Sequence, residues 1–334
     1  MSLPLDIFSP AQAAILVGFA AVLGACLGSF VNCLAWRKVH GESVLAGRSH
    51  CTSCGHVLGP LDLVPIVSWL ALRGRCRHCG QRVSARYVLA EALLAAVFAA
   101  LLVVYGAGAA WLAYAALACV LLAVALVDYD TFTIPNGFVI AAIVVWLLMM
   151  AASAAGFVAW PLANSAADAV AQAQAAALPA VGTPVASTLV TVAPCGLGSM
   201  FAPLVGAGWQ AAALDGLVGA VVAGGGVLVL SIAFDAVTGR TSLGGGDVKL
   251  LFAVGLFLGV AGSLLNLLVA CIMGLAFALV PGLSRPPSPE TGESAEQAEN
   301  LRTKAIPFGP AIAAATAATL LFGPAVLTWY VGLF

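Results

Sequence analysis

Two carboxylates and four thiols stand out as the side chains whose type and setting could do chemistry. Asp128 lies in Leu126-Val127-Asp128-Tyr129-Asp130-Thr131-Phe132-Thr133-Ile134-Pro135-Asn136, where a long apolar run stops on acids. Asp247 closes the glycine run of Ser242-Leu243-Gly244-Gly245-Gly246-Asp247-Val248-Lys249 at the mouth of another apolar segment. Three glycines in a row make a poor helix and a poor strand, and they let the backbone lie close to a neighbour. Two carboxylates brought together cannot both ionise easily, so they share a proton. One then acts as base toward a water while the other, protonated, polarises a peptide carbonyl. That hydrolysis requires no serine, histidine or metal. No histidine follows residue 78 to serve a serine or cysteine nucleophile. Within the first motif Asp130 is the alternative to Asp128; on a helix it would face elsewhere and be solvated.

The thiols are Cys51-Thr52-Ser53-Cys54 and Cys76-Arg77-His78-Cys79, two C-x-x-C knuckles separated by 21 residues. Such a pair can close a tetrahedral four-thiolate site, which holds a small polar region together where a hydrophobic core is absent. The expected metal is zinc, structural because four cysteines leave no open coordination position. Two disulfides are the alternative, disfavoured if the region sits in a reducing cytoplasm. His50, His56 and His78 are adjacent but not needed as ligands. The other five cysteines, Cys26, Cys33, Cys119, Cys195 and Cys271, read as small buried hydrophobes.

These groups must be positioned by membrane-spanning helices. The chain has 334 residues, 62% hydrophobic and 8% charged, with a formal net charge of -1. Its mean hydropathy is +1.08. That composition specifies an all-α polytopic membrane protein and gives no nucleic-acid footprint. Residues 1–36 hold a first span with Arg37-Lys38 directly after it and no basic residue before it. It therefore reads as an uncleaved anchor with its N-terminus outside. Leu23-Gly24-Ala25-Cys26 resembles a lipoprotein cleavage box, but the basic leader that such a box needs is missing. Residues 37–86 carry eight of the 13 Lys and Arg and all four histidines, and form the expected cytoplasmic zinc domain. From Glu91 to Asp128 no charge intervenes, and a helix over that length would measure about 54 Å against a hydrocarbon core of about 30 Å. Residues 87–160 therefore hold three spans, turning first near Gly106-Ala107-Gly108, with the third over 137–160.

The Ala-rich stretch 161–210 is interrupted by five prolines and reads as an extracytoplasmic insert. Residues 211–334 then supply the rest: a span at 211–235, a hairpin over 248–283 turning near Gly262-Ser263, a polar cytoplasmic loop at 284–305, and a last span at 308–333. The total is about eight helices, and with it every Lys and Arg lies on the cytoplasmic side. Glu91, Asp215 and Asp235 lie within a turn or two of an interface, where water could reach them. A proton-coupled transporter would also pair membrane acids, but it predicts related halves, which are not visible, and leaves the knuckles unexplained. A non-catalytic metal-bearing scaffold predicts that Asp247→Asn is silent.

The whole chain resembles the bacterial type IV prepilin peptidases, membrane aspartic proteases with a G-x-G-D motif. The resemblance is carried by Gly244 to Lys249, by Asp128-Tyr129-Asp130 with Ile134-Pro135-Asn136, and by Gly28-Ser29-Phe30-Val31-Asn32. It extends from Ser49 through both knuckles, Pro65-Ile66-Val67-Ser68-Trp69-Leu70, Arg73-Gly74-Arg75-Cys76 and Arg86-Tyr87 to Glu91, and returns at Ile306-Pro307-Phe308-Gly309-Pro310. It implies Asp128 and Asp247 as the catalytic acids. It also implies cleavage of the short basic leader of prepilins and pseudopilins at the cytoplasmic face of the bacterial inner membrane. Relatives with the cysteine-bearing loop also methylate the new N-terminal amine from S-adenosylmethionine, so both reactions are expected here. No methyl-donor fingerprint is visible, and a peptidase without methyl transfer is the alternative. The insert at 161–210 departs from the family pattern.

Overall fold

The computed structural model describes residues 5–44, 47–158, 209–239, 244–279 and 307–331, with Leu333. Most of the 161–210 insert and all of the 284–305 loop lie outside these residues, as do Cys195, Arg240 and Ile306. Among the described residues there is no β-strand, and seven helices are long and apolar enough to cross a membrane. The chain is a multi-pass membrane protein.

Helix α1 (Pro10–Val39) opens on a capping box, in which Ser9 accepts from the Gln12 N–H and the Gln12 side chain reaches back, with Pro10 in the first turn. The cysteine module follows, with a short helix α2 (Val67–Ala71) inside it. Helix α3 (Ala85–Tyr105) ends on Gly106 at φ 70, and α4 (Ala109–Thr131) begins three residues later, so the turn expected at 106–108 is present. Helix α1 lies along α3 through a small-residue stripe. A Cβ at Gly24 would sit 2.6 Å from the Leu94 carbonyl oxygen, and one at Gly28 would sit 2.9 Å from the Glu91 Cα. This spacing of four brings the two backbones together in the way common inside membranes, where packing rather than hydrophobicity drives helix association.

Helix α5 (Asn136–Ala154) stops six residues short of the span expected over 137–160, because the chain turns at Gly156 with φ 77. Its composition stays apolar beyond that point, so length alone could not locate the end. Helix α6 (Trp209–Thr238) contains a π-helical turn at Val221–Gly225. There Gly224 packs against Phe252 and the Val248 carbonyl of helix α7 (Gly245–Leu279). Helix α8 (Gly309–Val331) completes the bundle, tied to α3 by the Tyr105 hydroxyl donating to the Leu320 carbonyl at 2.7 Å.

The seven continuous helices among the described residues agree with the expected count of about eight, because the 35-residue α7 is two helices joined at a break at Gly259 (φ 66, ψ -172), three residues before the turn expected near Gly262-Ser263. The break reverses the chain. Gly246 packs on Ile134 at the end of the bundle that carries the cysteine module, and Gly259 lies at Asp215 toward the other end. Leu265 then meets Gly323, and Gly274 is back at Phe308 and Ala311, beside the start of α8. The break falls at Gly259 because a Cβ there would collide with the Asp215 carboxylate, and because its left-handed φ suits glycine.

Several expectations about polar groups need correction. Glu91 and Asp215, expected within reach of water, are 8% and 9% exposed. Cys26 and Cys271, expected buried, lie on exposed helix faces, while Cys33 and Cys119 are half-buried.

Candidate active site and metal centre

The first acid motif is shaped by the way α4 ends. Phe132 takes a left-handed conformation (φ 53, ψ 29) and its N–H donates to the Asp128 carbonyl at 2.8 Å, which closes the helix. Pro135 excludes the helical region for Ile134 and serves as the N-cap of α5. Asp128 is thereby left one turn inside the helix end, 4% exposed. Its Oδ2 accepts the Gly309 N–H at 2.8 Å, at the first turn of α8, where helix N–H groups have no intrahelical partner. The carboxylate lies so close that a Cβ on Gly309 would sit 2.7 Å from Oδ2. Real side chains do not approach that closely, so any larger residue here would push the Asp128 carboxylate aside.

Asp247 stands in the first turn of α7 and is half-buried. Its N–H donates to the Gly244 carbonyl at 3.1 Å, and its carboxylate turns back to the Gly244 N–H. Two contacts join the motifs directly. Gly246 packs against Ile134, where a Cβ would come within 3.0 Å, and Lys249 Nζ donates to Asn136 Oδ1 at 3.1 Å. These contacts bring the end of α4 that carries Asp128 and the start of α7 that carries Asp247 to the same place in the bundle. Two acids separated by more than a hundred residues thus lie at one end of the bundle, each held by a backbone N–H.

Asp130 is not simply solvated. Arg86 Nη1 donates to both its oxygens at 2.7 Å, Arg86 Nη2 donates to the Leu126 carbonyl at 2.9 Å, and the guanidinium lies 5.8 Å from the centre of the Tyr129 ring. Arg86 opens α3 directly after the cysteine module, so this clasp fixes the exit of the module to the end of α4. An exposed pair contributes about 0.2–1 kcal/mol, which suits a positioning role rather than a stabilising one. Arg86→Glu is expected to lower methylation of a mature pilin more than leader cleavage, and Arg86→Glu with Asp130→Arg is expected to restore it. Failure of the charge swap to restore either reaction would remove the pair from that role.

At the candidate metal centre the four sulfurs of Cys51, Cys54, Cys76 and Cys79 all lie within 4.8 Å of one another. A tetrahedral site with metal–sulfur bonds of about 2.3 Å has sulfur–sulfur edges of about 3.8 Å, so the set fits a single metal ion with little movement. The two knuckles are built alike. Cys51 and Cys76 each accept an N–H from a glycine four residues on, Gly55 at φ 71 and Gly80 at φ 69. Isolated bridges then pair His50 with Val57 and Arg75 with Arg82. The glycine after each cysteine pair, in Cys54-Gly55 and Cys79-Gly80, was a readable sign of this repeat. Thiols this close compete for protons. The Ser53 N–H, opposed by burial and helped by the Cys54 N–H and neighbouring sulfurs, holds Cys51 down to about 7. Cys79, although the Gln81 N–H favours its thiolate, is pushed up to about 11 by burial and by hydrogen bonds with the other three sulfurs. A bound cation would end that competition, since each ligand binds as a thiolate. Asp62 braces the second knuckle: Arg77 Nε lies 2.8 Å from its Oδ1 and holds the carboxyl below the usual range.

Fold and site define a multi-pass membrane protein with a paired-acid site at one end of its bundle and a four-cysteine module beside it. Two family profiles match the chain in order, the bacterial peptidase A24 N-terminal domain over residues 22–105 and the type IV leader peptidase family over residues 185–279. Over both stretches the chain is similar to the type IV leader peptidases. The second match takes in Asp247, while Asp128 falls between the two. Curated relatives named prepilin leader peptidase/N-methyltransferase run nearly the full length. One from Burkholderia pseudomallei is 28% identical over 96% of this chain and 90% of its own. One from Bacillus subtilis is 27% identical over 93% of this chain and 96% of its own. A third, from Myxococcus xanthus, is 40% identical over 35% of each chain. No solved structure matches.

Proposed function

We propose that this protein removes the leader peptide of type IV prepilins and pseudopilins with Asp128 and Asp247, and then N-methylates the exposed terminal residue. The observation that carries the reading is the meeting of the two acid motifs at the knuckle end of the bundle, joined through Ile134–Gly246 and Lys249–Asn136. In the proposed reaction one carboxylate takes a proton from water as the water oxygen attacks the scissile carbonyl carbon. The protonated partner gives its proton to the carbonyl oxygen. As the partner carboxylate takes back a proton from one hydroxyl of the gem-diol, the C–N bond breaks and the leaving amine takes up the proton held by the first acid. Backbone N–H groups of Gly309 and Gly244 keep the carboxylates in register through these exchanges.

The metal held by Cys51, Cys54, Cys76 and Cys79 is zinc in this reading, and it is structural. S-adenosylmethionine, when bound, would supply an electrophilic methyl group to the neutral pilin amine. The knuckle module, over 37–86, and the acid pair face the cytoplasm, and the N-terminus lies outside the inner membrane, as the placement of Lys and Arg supports. The test is purified protein in detergent, with no gradient, given a full-length prepilin. Cleavage ahead of the hydrophobic helix is expected, followed by a mass increase of one methyl group at the new N-terminus when the donor is added. An intact prepilin would overturn the peptidase reading, and cleavage without the mass shift would remove the methyl transfer.

Gly309 gives a sharper check on the site's geometry. Alanine is the better helix residue, yet its Cβ would displace the Asp128 carboxylate. Gly309→Ala is therefore expected to leave thermal stability unchanged or slightly raised while cleavage falls by about 10²-fold. Wild-type kcat in that variant would show that Asp128 works without the Gly309 N–H.

A further inference from the structure

We infer that the methyl donor binds in the cavity of about 620 Å³ enclosed by the knuckle end of α1, the cysteine module and the start of α3, with Trp36 as its aromatic wall. This rests on the methyl-transfer reading above and locates it. The volume suits a ligand the size of a nucleoside carrying an amino-acid side arm. Such a donor presents a planar purine, a sulfonium cation and a zwitterionic head, and the cavity offers a partner for each. Trp36 and Trp69 both line it. Trp36 is held in place by stacking on His40, ring centres 4.1 Å apart, and by the edge of His50 at 5.6 Å. An indole face accepts a purine by stacking or a sulfonium by cation–π attraction. Arg37, beside Trp36 in sequence and 8% exposed, lines the same cavity with its Nη1 donating to the Ser43 carbonyl at 3.3 Å, and it brings a positive charge toward the carboxylate of the head.

The opposite wall is built with a departure from relaxed backbone. Ile66 has φ 62, a conformation that a β-branched residue rarely takes. It is held there by the buried Glu91, whose Oε2 accepts the Ile66 N–H at 2.7 Å. The residues that follow are α2, which carries Ser68 and Trp69 into the cavity lining. Trp69 is fixed in turn by its Nε1 donating to the Val83 carbonyl at 3.2 Å and by Gly74, which leaves no room for a Cβ beneath the ring. Glu91 is thus a positioning residue for this wall, which accounts for an acid buried at the head of an apolar helix.

Arg37, Arg75, Arg77 and Arg82 line the cavity against Asp62 and Glu91, so its positive balance repels a basic leader peptide, while the donor, itself a net cation through its sulfonium, is held by its carboxylate and by the indole faces rather than by net charge. Cys51 and Cys76, one from each knuckle, also line it, so a metal joining the knuckles would fix the cavity's shape. Ser84 and Tyr87 at its rim flank Arg86, which is clasped to Asp130 two residues from Asp128.

The test uses the full-length zinc-loaded protein in detergent. Calorimetry with S-adenosylhomocysteine is expected to show binding that Trp36→Ala weakens about tenfold or more and Trp36→Phe largely restores, at unchanged zinc content. Ultraviolet cross-linking of methyl-labelled S-adenosylmethionine to the wild type, which does not depend on any variant folding, is expected to label the peptide containing Trp36 or Trp69. A label mapped elsewhere, or unchanged affinity in Trp36→Ala, overturns the location while leaving methyl transfer intact. A wild type that neither binds S-adenosylhomocysteine nor methylates a mature pilin overturns both.

Discussion

Asp128→Asn and Asp247→Asn are each expected to abolish leader cleavage, with a loss of about 10²–10⁴-fold or more, the scale set by removing a general acid or base. The substitutions are chosen to leave everything else in place. Asparagine matches the shape of aspartate, and its amide oxygen can still accept the Gly309 N–H or the Gly244 N–H that orients each side chain. Removing a charge at a helix end in a membrane does not oppose insertion, so membrane levels and protease resistance should match the wild type. Because the knuckle module and its cavity are built from other residues, methylation of a pilin already relieved of its leader should survive both changes. The readouts are gel-shift cleavage of a prepilin and mass spectrometry of a mature pilin. Loss of both reactions in either variant would mean that the acids hold the structure together rather than cut the substrate.

Loss of the metal is expected to have the second largest effect, and it should fall on the other reaction. Among the described residues of 47–84 only Gly74 and Cys76 are buried, so the module has no hydrophobic core of its own. In small domains of this kind metal binding supplies the folding free energy, with apparent values of about 10–16 kcal/mol for structural zinc at neutral pH. Cys76→Ser, or removal of the metal by a chelator, should therefore unfold the module, make it protease-sensitive and lower methylation by about 10²-fold or more. Cleavage should persist, because the acid pair is held by α4, α5, α7 and α8, which the module meets through the Arg86–Asp130 clasp. The checks are zinc per protein by elemental analysis, limited proteolysis and both activity assays. Protein that carries no metal as purified, or a serine variant with wild-type methylation, would contradict the structural-metal account.

Much of the site could be read from the chain because polar groups are costly in an apolar sequence and therefore stand out. Asp128 and Asp247 mark span ends for that reason, and the four cysteines announce themselves by spacing. What stayed hidden depends on pairings between distant segments. Asp130 looked solvated until folding brought Arg86 onto it. Gly309 lay at the entry to the last expected span, yet it supplies the N–H that holds Asp128, and nothing local in Ile306-Pro307-Phe308-Gly309-Pro310 reveals that duty. Glu91 and Asp215 looked accessible because their distance from span ends was measured along the sequence. One is buried under the Ile66 backbone and the other lies against Gly259. The turn of the last hairpin was misplaced by three residues because Gly259 and Gly262 are equally permissive, and Asp215 on a different helix decides between them.

Everything in the peptidase account depends on the side chains at 128 and 247 meeting. The direct measurement is oxidative or short-bismaleimide cross-linking of the Asp128→Cys/Asp247→Cys protein in native membranes, with the joined peptides identified by mass spectrometry so that native cysteines are not confused with the new pair. The account predicts a 128–247 link in high yield. Cysteines that each react singly with maleimide but never with one another would contradict it.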